Sequence, residues 1–129
     1  MNVLVIEDNE QNLYLVRFLL EARGHRIAEA KSGPEGIAAA RAAAPDLILL
    51  DIQLPQMDGY AVAQALRGNP ALDAVPIVAV TSYAMSGNRA QALAAGCDAY
   101  IEKPIDPDSF GTEVEAAAAA GRRIEKEAP

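Results

Sequence analysis

The sequence predicts an α/β three-layer sandwich in which a parallel sheet lies between two layers of helices. Three short apolar runs, residues 3–6, 47–50 and 77–80, lack polar alternation. Such runs are typical of strands that are buried on both faces of a parallel sheet. Segments with a helical spacing of apolar residues lie between them, and the right-handed crossovers of parallel strands place helices on both sides of the sheet.

Five strands are expected in total, because residues 25–30 and 98–101 carry weaker strand patterns. The first two helices have recognisable ends. Gly24 follows an apolar helical stripe and terminates the first helix, since glycine is favoured just past a helix end. The segment Ser32-x-x-Glu35 predicts a capping box at the start of the second helix, which Pro45 ends. Hydrophobic periodicity leaves the order of the strands in the sheet open.

The remaining helices follow the third, fourth and fifth strands. Residues 60–67 and 86–95 each have helical composition and are closed by glycine. For the fifth helix, Asp106 is predicted as the N-cap, Pro107 as the first helical residue and Phe110 as a hydrophobic staple. Five strands therefore alternate with five helices.

Length and charge predict one acidic domain. The chain has 129 residues, with 11 basic and 18 acidic side chains and a net charge of −7. This length suits a single domain, which we expect over residues 1–121, followed by a charged tail over residues 122–129. The acidic excess argues against nucleic acid as a direct ligand, because affinity for phosphate backbones comes mainly from cationic side chains.

The cysteine content and the amino terminus predict a cytoplasmic location. Cys97 is the only cysteine and cannot form a disulfide within the chain, which suits a reducing compartment. The apolar run at the amino terminus stops at acidic residues, so neither a signal peptide nor a membrane span is expected. Cys97 is expected to pack at a helix end, and His25 to point from an edge strand into solvent.

Polar side chains follow the predicted strands at the positions where α/β sheets bind ligands. These side chains are Glu7, Asp8, Asp51, Thr81 and Lys103. Because parallel strands end at one edge, we expect all five to converge there. Three carboxylates in one place repel one another, and a divalent cation bound through oxygen relieves the repulsion. Mg²⁺ is the natural candidate, since it accepts carboxylates and bridges to phosphate.

The same residues favour capture of a phosphoryl group by a carboxylate. Asp51 can act as nucleophile and form an aspartyl phosphate. The ammonium of Lys103 and the hydroxyl of Thr81 can then hold the phosphoryl oxygens. Such transfer depends on positioning and on charge neutralisation rather than on a general base.

Four segments together resemble the receiver domain of two-component response regulators over residues 1–119. They are Glu7-Asp8-Asn9, the stretch from Leu50 to Tyr60, Val80-Thr81-Ser82, and Tyr100-Ile101-Glu102-Lys103-Pro104. The resemblance implies a flavodoxin-like fold with strand order 2-1-3-4-5. It also implies phosphorylation by a histidine kinase or a histidine phosphotransfer protein.

The resemblance assigns a role to each site residue. It implies that Asp51 is the phosphoacceptor and that Asp8, Asp51 and the backbone carbonyl of Gln53 hold Mg²⁺. Glu7 stands at a further metal position where the family most often has Asp, and its longer side chain leaves open direct or water-mediated contact. Thr81 and Lys103 match the phosphoryl-binding hydroxyl and amine.

A conformational switch is expected at the fourth and fifth strands, and it would change the surface that a partner protein binds. Tyr100 matches the aromatic residue that turns inward when the threonine moves. The resemblance implies that this motion remodels the face made by the fourth helix, the fifth strand and the fifth helix, where a downstream protein would bind. The chain is further similar to stand-alone cell-cycle regulators and to receivers of hybrid kinases, which implies signalling by protein contact or by phosphorelay transfer and no turnover enzyme.

Three other functions fit the pattern less well. Enzymes of the haloacid dehalogenase type carry the pattern Asp-x-Asp, whereas in this chain Gln53 stands at the second Asp position, after Asp51. A flavodoxin-like cofactor site needs a phosphate loop after the first strand, where residues 7–10 are largely acidic. The third is a receiver-like adaptor that binds partners without phosphorylation, and it remains the main alternative.

Overall fold

Five parallel strands form one sheet in the order β2-β1-β3-β4-β5 within the part of the chain described here. We base the description on a computed structural model, which describes residues 1–54, 57–82 and 86–122 and, for residues 86–88, the backbone alone. The strands are β1 (Asn2–Ile6), β2 (Arg26–Ala30), β3 (Leu47–Asp51), β4 (Ile77–Thr81) and β5 (Ala99–Glu102). The strand order that the resemblance implies is confirmed.

The helices connect these strands and cover both faces of the sheet. They are α1 (Glu10–Glu21), α2 (Gly33–Ala42), α3 (Gly59–Arg67), α4 (Ser86–Ala95) and α5 (Phe110–Ala120), with a short 3₁₀ turn at Pro70–Leu72. Helices α1 and α5 pack on one face, against alternate strand residues such as Val5 and Leu49. Helices α2, α3 and α4 pack on the other, against residues such as Ile6 and Leu50. The predicted three-layer sandwich is confirmed.

The central strands are apolar throughout because both of their faces are covered. Every residue of β3 and β4 is buried. β2 lies at the edge and is mostly exposed, which explains its weaker pattern. The full burial of β3 extends to Asp51, so the phosphoacceptor candidate lies at the end of one of the two fully buried strands.

The predicted ends of the second helix agree with the structure only in part. The Ser32 side chain accepts a hydrogen bond from the Glu35 amide, as the capping box requires. The Glu35 carboxylate, however, accepts from the Lys31 amide at 2.7 Å instead of returning to Ser32. The helix also ends at Ala42, three residues before Pro45.

The fifth helix begins later than predicted. Asp106 caps a separate turn: its carbonyl accepts from the Phe110 amide at 2.9 Å, and its carboxylate accepts from the Asp108 amide at 2.9 Å. The regular helix starts only at Phe110, after Ser109. The assignment of Asp106 as N-cap of the continuous helix is therefore wrong, because the turn that it closes is followed by a new start. Phe110 is fully buried and anchors α5.

His25 does not point into solvent as expected. Its imidazole is half-buried, with Nδ1 3.1 Å from the Met1 amino group and Nε2 2.8 Å from a Glu115 carboxylate oxygen. Glu115 lies on α5 and also binds Arg23. The prediction was wrong because the residue before β2 lies against α5, a contact that an edge-strand pattern cannot reveal.

A buried ionic cluster closes the amino end of the sheet. We call Asp98, Arg67 and Arg122 the Asp98 cluster. The Asp98 carboxylate binds Arg67 at 2.7 Å and Arg122 at 2.9 Å, and it accepts the Ile77 amide at 2.9 Å. Arg122, assigned to the charged tail from the sequence, is itself buried. Residues 123–129 of that tail lie outside the described residues.

Candidate functional site

Three carboxylates meet at the carboxyl edge of the sheet, as the sequence predicts. Glu7 and Asp8 follow β1, and Asp51 ends β3. β1 and β3 are hydrogen-bonded neighbours, with Ile6 opposite Leu50, so their ends lie side by side. Glu7, Asp8 and Asp51 each offer an oxygen such that all three oxygens lie within 4.8 Å of one another. Asp8 is exposed, whereas Glu7 and Asp51 are buried.

Lys103 lies between two of these carboxylates. Its Nζ is 2.9 Å from Glu7 Oε1 and 3.4 Å from Asp51 Oδ2. The Lys103 backbone amide donates to the Thr81 carbonyl at 2.8 Å, which positions the side chain over the site. Burial alone would lower the pKa of Lys103, but the hydrogen bond to Glu7 and the charges of both acids raise it above the ordinary value. Lys103 is therefore a fixed cation beside Asp51.

Glu7 carries an unusual charge state for a carboxyl group. Burial raises its pKa from 4.5 to about 7, and contact with Asp51 adds to this shift, while Lys103 opposes it. Because burial and the neighbouring Asp51 carboxylate disfavour the charged form, Glu7 holds a proton over part of its population near neutral pH. A divalent cation at this place would displace that proton.

The raised pKa predicts a measurable effect of pH on the metal-free protein. Because the folded state holds the Glu7 proton more tightly, the stabilisation is complete below pH 4.5 and is lost as pH rises through about 7. Glu7→Gln should abolish this part of the decline, up to about 3 kcal/mol. Thermal unfolding in a chelator, from acidic to neutral pH, measures it. Parallel stability curves for both proteins would contradict the pKa assignment.

The Asp51 carboxylate is oriented by its own loop. Its Oδ1 accepts the Gln53 amide at 2.9 Å, and its Oδ2 faces Lys103. Asp51 is 4% exposed, so a reacting group must come to it through the cleft at the sheet edge. The hydrogen bond and the ion pair hold the carboxylate in one orientation.

Thr81 and Tyr100 lie on the neighbouring strands. Thr81 ends β4 and is almost fully buried, and β4 pairs with β3 so that Val80 is opposite Asp51. Tyr100, in β5, is half-buried and lies under the Arg89 guanidinium, 5.8 Å from the ring centroid. The predicted residues thus share one edge, except that Tyr100 lies one strand further and faces the groove between α4 and α5.

Sequence reasoning missed a contact made by Ser82. The Ser82 amide and hydroxyl both donate to the Gln53 side-chain oxygen, at 3.2 and 2.6 Å. Hydrophobic periodicity does not signal such a bond, although Gln53 is itself an expected metal ligand through its backbone carbonyl and Ser82 directly follows Thr81. Tyr83 and Met85, which follow Thr81 by two and four positions, lie outside the described residues.

The donor set fits a hard divalent cation. Three carboxylates within reach of one ion supply the oxygen ligands that Mg²⁺ prefers. Glu7, Asp8 and Asp51 are the residues that could hold it.

Across residues 1–54, 57–82 and 86–122, every helix is too short or too polar to form a transmembrane span.

Comparison with known proteins gives the same picture. Residues 3–115 match the model of the response regulator receiver domain. The polar-differentiation response regulator DivK of Brucella ovis is 43% identical over 109 residues, which cover 84% of this chain and 89% of that protein.

Solved structures agree. A CheY-like receiver domain protein from Methanospirillum hungatei matches with a TM-score of 0.82 and 30% identity, over 98% of each chain. The receiver domain of a sensor histidine kinase from Pseudomonas aeruginosa, with magnesium coordinated in its active site cleft, has a TM-score of 0.84 and 29% identity, over 92% of this chain and 97% of that one. The chain therefore belongs to the response regulator receiver domain family.

Proposed function

We propose that Asp51 accepts a phosphoryl group from a phosphohistidine of a histidine kinase or a histidine phosphotransfer protein. The observation that carries this proposal is the position of the Lys103 ammonium, which lies 3.4 Å from Asp51 and 2.9 Å from Glu7 beside three clustered carboxylates. A nucleophilic carboxylate, a fixed cation and a metal-binding acid cluster are the parts that phosphoryl transfer needs.

In the proposed reaction an oxygen of Asp51 attacks phosphorus as the bond from phosphorus to the histidine nitrogen breaks. The electron pair of that bond stays on the imidazole, and the product is an acyl phosphate on Asp51. Lys103 neutralises charge on the phosphoryl oxygens, and the Thr81 hydroxyl donates a hydrogen bond to one of them.

Mg²⁺ is the cofactor that this proposal requires. Glu7, Asp8, Asp51 and the backbone carbonyl of Gln53 would hold it, and its charge would neutralise phosphoryl oxygens. The magnesium in the cleft of the Pseudomonas receiver supports this choice. The acid cluster, with Asp8 exposed at its mouth, suits a hydrated ion that reaches the site from solvent.

The modified chain would act as a signal rather than as a turnover enzyme. We propose that it assists its own phosphorylation and dephosphorylation, and that the phosphoryl group biases an existing conformational equilibrium through Thr81 and Tyr100. The downstream protein, or a phosphotransfer histidine, would be reached through the face of α4, β5 and α5. The Brucella relative, a response regulator of which the match covers 89%, supports output from the receiver itself. A cytoplasmic location suits the single buried thiol of Cys97.

Intact mass after incubation with Mg²⁺ and acetyl phosphate tests the proposal. One added phosphoryl group is expected on the native chain, and none on Asp51→Asn, because an amide nitrogen replaces the nucleophilic oxygen. Asp46→Asn is a matched control, since Asp46 precedes the same strand at its opposite end. It should react like the native chain.

Two results would contradict the proposal. Either no gain in the native chain or an equal gain in Asp51→Asn would reject Asp51 as phosphoacceptor. The first result would favour the adaptor that works without phosphorylation.

A further inference from the structure

The Gln53 side chain bridges the two loops that flank the Asp51 carboxylate. Its Oε1 accepts the Ser82 hydroxyl at 2.6 Å and the Ser82 amide at 3.2 Å. Ser82 directly follows Thr81 at the end of β4. The Gln53 backbone amide donates at the same time to Asp51 Oδ1, at 2.9 Å. One residue therefore contacts both the phosphoacceptor and the residue next to Thr81.

This bridge occupies two donors of the residue that directly follows Thr81. The Ser82 amide is the first backbone donor after Thr81, and its hydroxyl is a second donor on the same residue. A phosphoryl group on Asp51 carries three anionic oxygens, which are stronger acceptors than a neutral carboxamide. Each Ser82 donor that turns to a phosphoryl oxygen is lost to the Gln53 oxygen, so binding of a phosphoryl group competes with the Gln53 side chain.

We propose that the Gln53 side chain is a latch that holds Ser82 in the unphosphorylated arrangement and releases it when Asp51 is phosphorylated. The inference rests on the proposed function, because it assumes a phosphoryl group at Asp51. Gln53 is a positioning residue here: its backbone amide binds Asp51, and its side chain restrains Ser82. Breaking the bonds between Gln53 and Ser82 costs free energy, which lowers the net affinity of the site for the phosphoryl group.

Truncation of the side chain separates the latch from the metal position. Gln53→Ala removes the carboxamide and keeps both the backbone carbonyl and the amide that binds Asp51. Loss of a neutral hydrogen bond of ordinary strength corresponds to about a fivefold change in an equilibrium constant. Gln53→Ala removes both bonds to Ser82 and should therefore raise the affinity for beryllofluoride, a phosphoryl mimic, by at least about fivefold in the presence of Mg²⁺.

A second measurement needs no phosphoryl group. Amide hydrogen exchange at Ser82 in the unphosphorylated protein should be faster in Gln53→Ala, because the amide loses its acceptor. Ser82→Ala removes only the hydroxyl bond, so the gain in beryllofluoride affinity should be smaller than for Gln53→Ala. In the Ser82→Ala background, Gln53→Ala should have a reduced effect, which a double-mutant cycle measures. Gln64→Ala, at an exposed position of α3, is the matched control and should change neither quantity.

The outcomes distinguish the latch from the function on which it rests. If native protein binds beryllofluoride and Gln53→Ala changes neither affinity nor Ser82 exchange, the latch is wrong and the phosphoacceptor assignment stands. Additive effects of the two substitutions would also overturn it. If the native protein binds no beryllofluoride and gains no phosphoryl group, both proposals fail together.

Discussion

Asp98→Ala should lower the free energy of unfolding by about 3 to 5 kcal/mol, the cost of leaving buried charges without their partner. The Asp98 side chain is 3% exposed and is the shared anion of the Asp98 cluster. Its two oxygens divide between Arg67 and Arg122, and one of them also accepts the Ile77 amide. Removal of the carboxylate leaves two guanidinium groups and one backbone amide without this acceptor in a poorly hydrated place.

The remaining bonds of the arginines do not compensate for this loss. Arg67 donates to the Gly96 and Leu72 carbonyls at 3.0 Å each, and Arg122 donates to the Asp73 carbonyl at 2.5 Å. These carbonyls supply hydrogen bonds but no negative charge. Burial already lowers the pKa of Arg67, and Asp98 is the charge that opposes that shift.

Urea unfolding followed by circular dichroism measures the effect. Asp73→Ala is the matched control, because it removes an exposed carboxylate and keeps the carbonyl that Arg122 uses; its stability should stay within about 0.5 kcal/mol of the native value. Asp98→Asn should fall between the two, since it retains hydrogen-bonding atoms and loses the charge. A loss below about 1 kcal/mol for Asp98→Ala would show that the cluster is solvated.

Gly59→Ala should destabilise the fold by about 3 kcal/mol and should also impair phosphoryl uptake at Asp51. A methyl group on Gly59 would lie 2.4 Å from the Ile52 Cα and 2.9 Å from the Asp51 carbonyl oxygen. Both are backbone atoms, which cannot rotate away as a side chain can. Gly59 also donates its amide to the Ile52 carbonyl at 3.0 Å, which fixes α3 against the end of β3.

Phosphoryl uptake should be impaired because the backbone near Asp51 must move to accommodate the added methyl group. Relief of the clash displaces either the start of α3 or the backbone that carries Asp51, and the second displacement changes the distance from the Asp51 carboxylate to Lys103. Thermal unfolding and the rate of phosphoryl uptake from acetyl phosphate, measured well below the melting temperature, test the two parts separately.

Gly68→Ala is the control for substitution of a helix glycine. A methyl group there would come no nearer than 3.3 Å to another atom, the Ala65 carbonyl oxygen, and the Gly68 backbone is helical. It should alter stability by less than about 1 kcal/mol and leave uptake unchanged. Native-like uptake in folded Gly59→Ala would show that α3 alone absorbs the clash.

The layers and the site edge could be predicted because they depend on local pattern. Unbroken apolar runs mark strands covered on both faces, and parallel strands place their following residues at one edge. This is why Glu7, Asp8 and Asp51 could be grouped from positions 44 residues apart or less. The acid cluster of the structure contains the same three residues.

What could not be predicted depends on contacts between distant segments. The convergence of Lys103 with the three acids was predicted, but its direct contact with Glu7 was not, and neither was the contact of the Glu115 carboxylate with His25 across 90 positions. Strand patterns carry no information about such pairs. Gln53 and Ser82 are also joined only by the fold, and the late start of α5 depends on a turn that Asp106 closes with its own carbonyl.

The Asp98 cluster has a mechanical consequence for the opposite end of β5. The strand has only four residues, Ala99–Glu102, so about 16 Å of chain separates the anchored Asp98 from Lys103 at the site. A strand tethered at one end and so short cannot slide along its neighbour to transmit a signal. If Asp51 is phosphorylated as proposed, we expect the response to appear as side-chain rotation in β5 and as motion of the helices beside it, with the amino end of the sheet as the stationary reference.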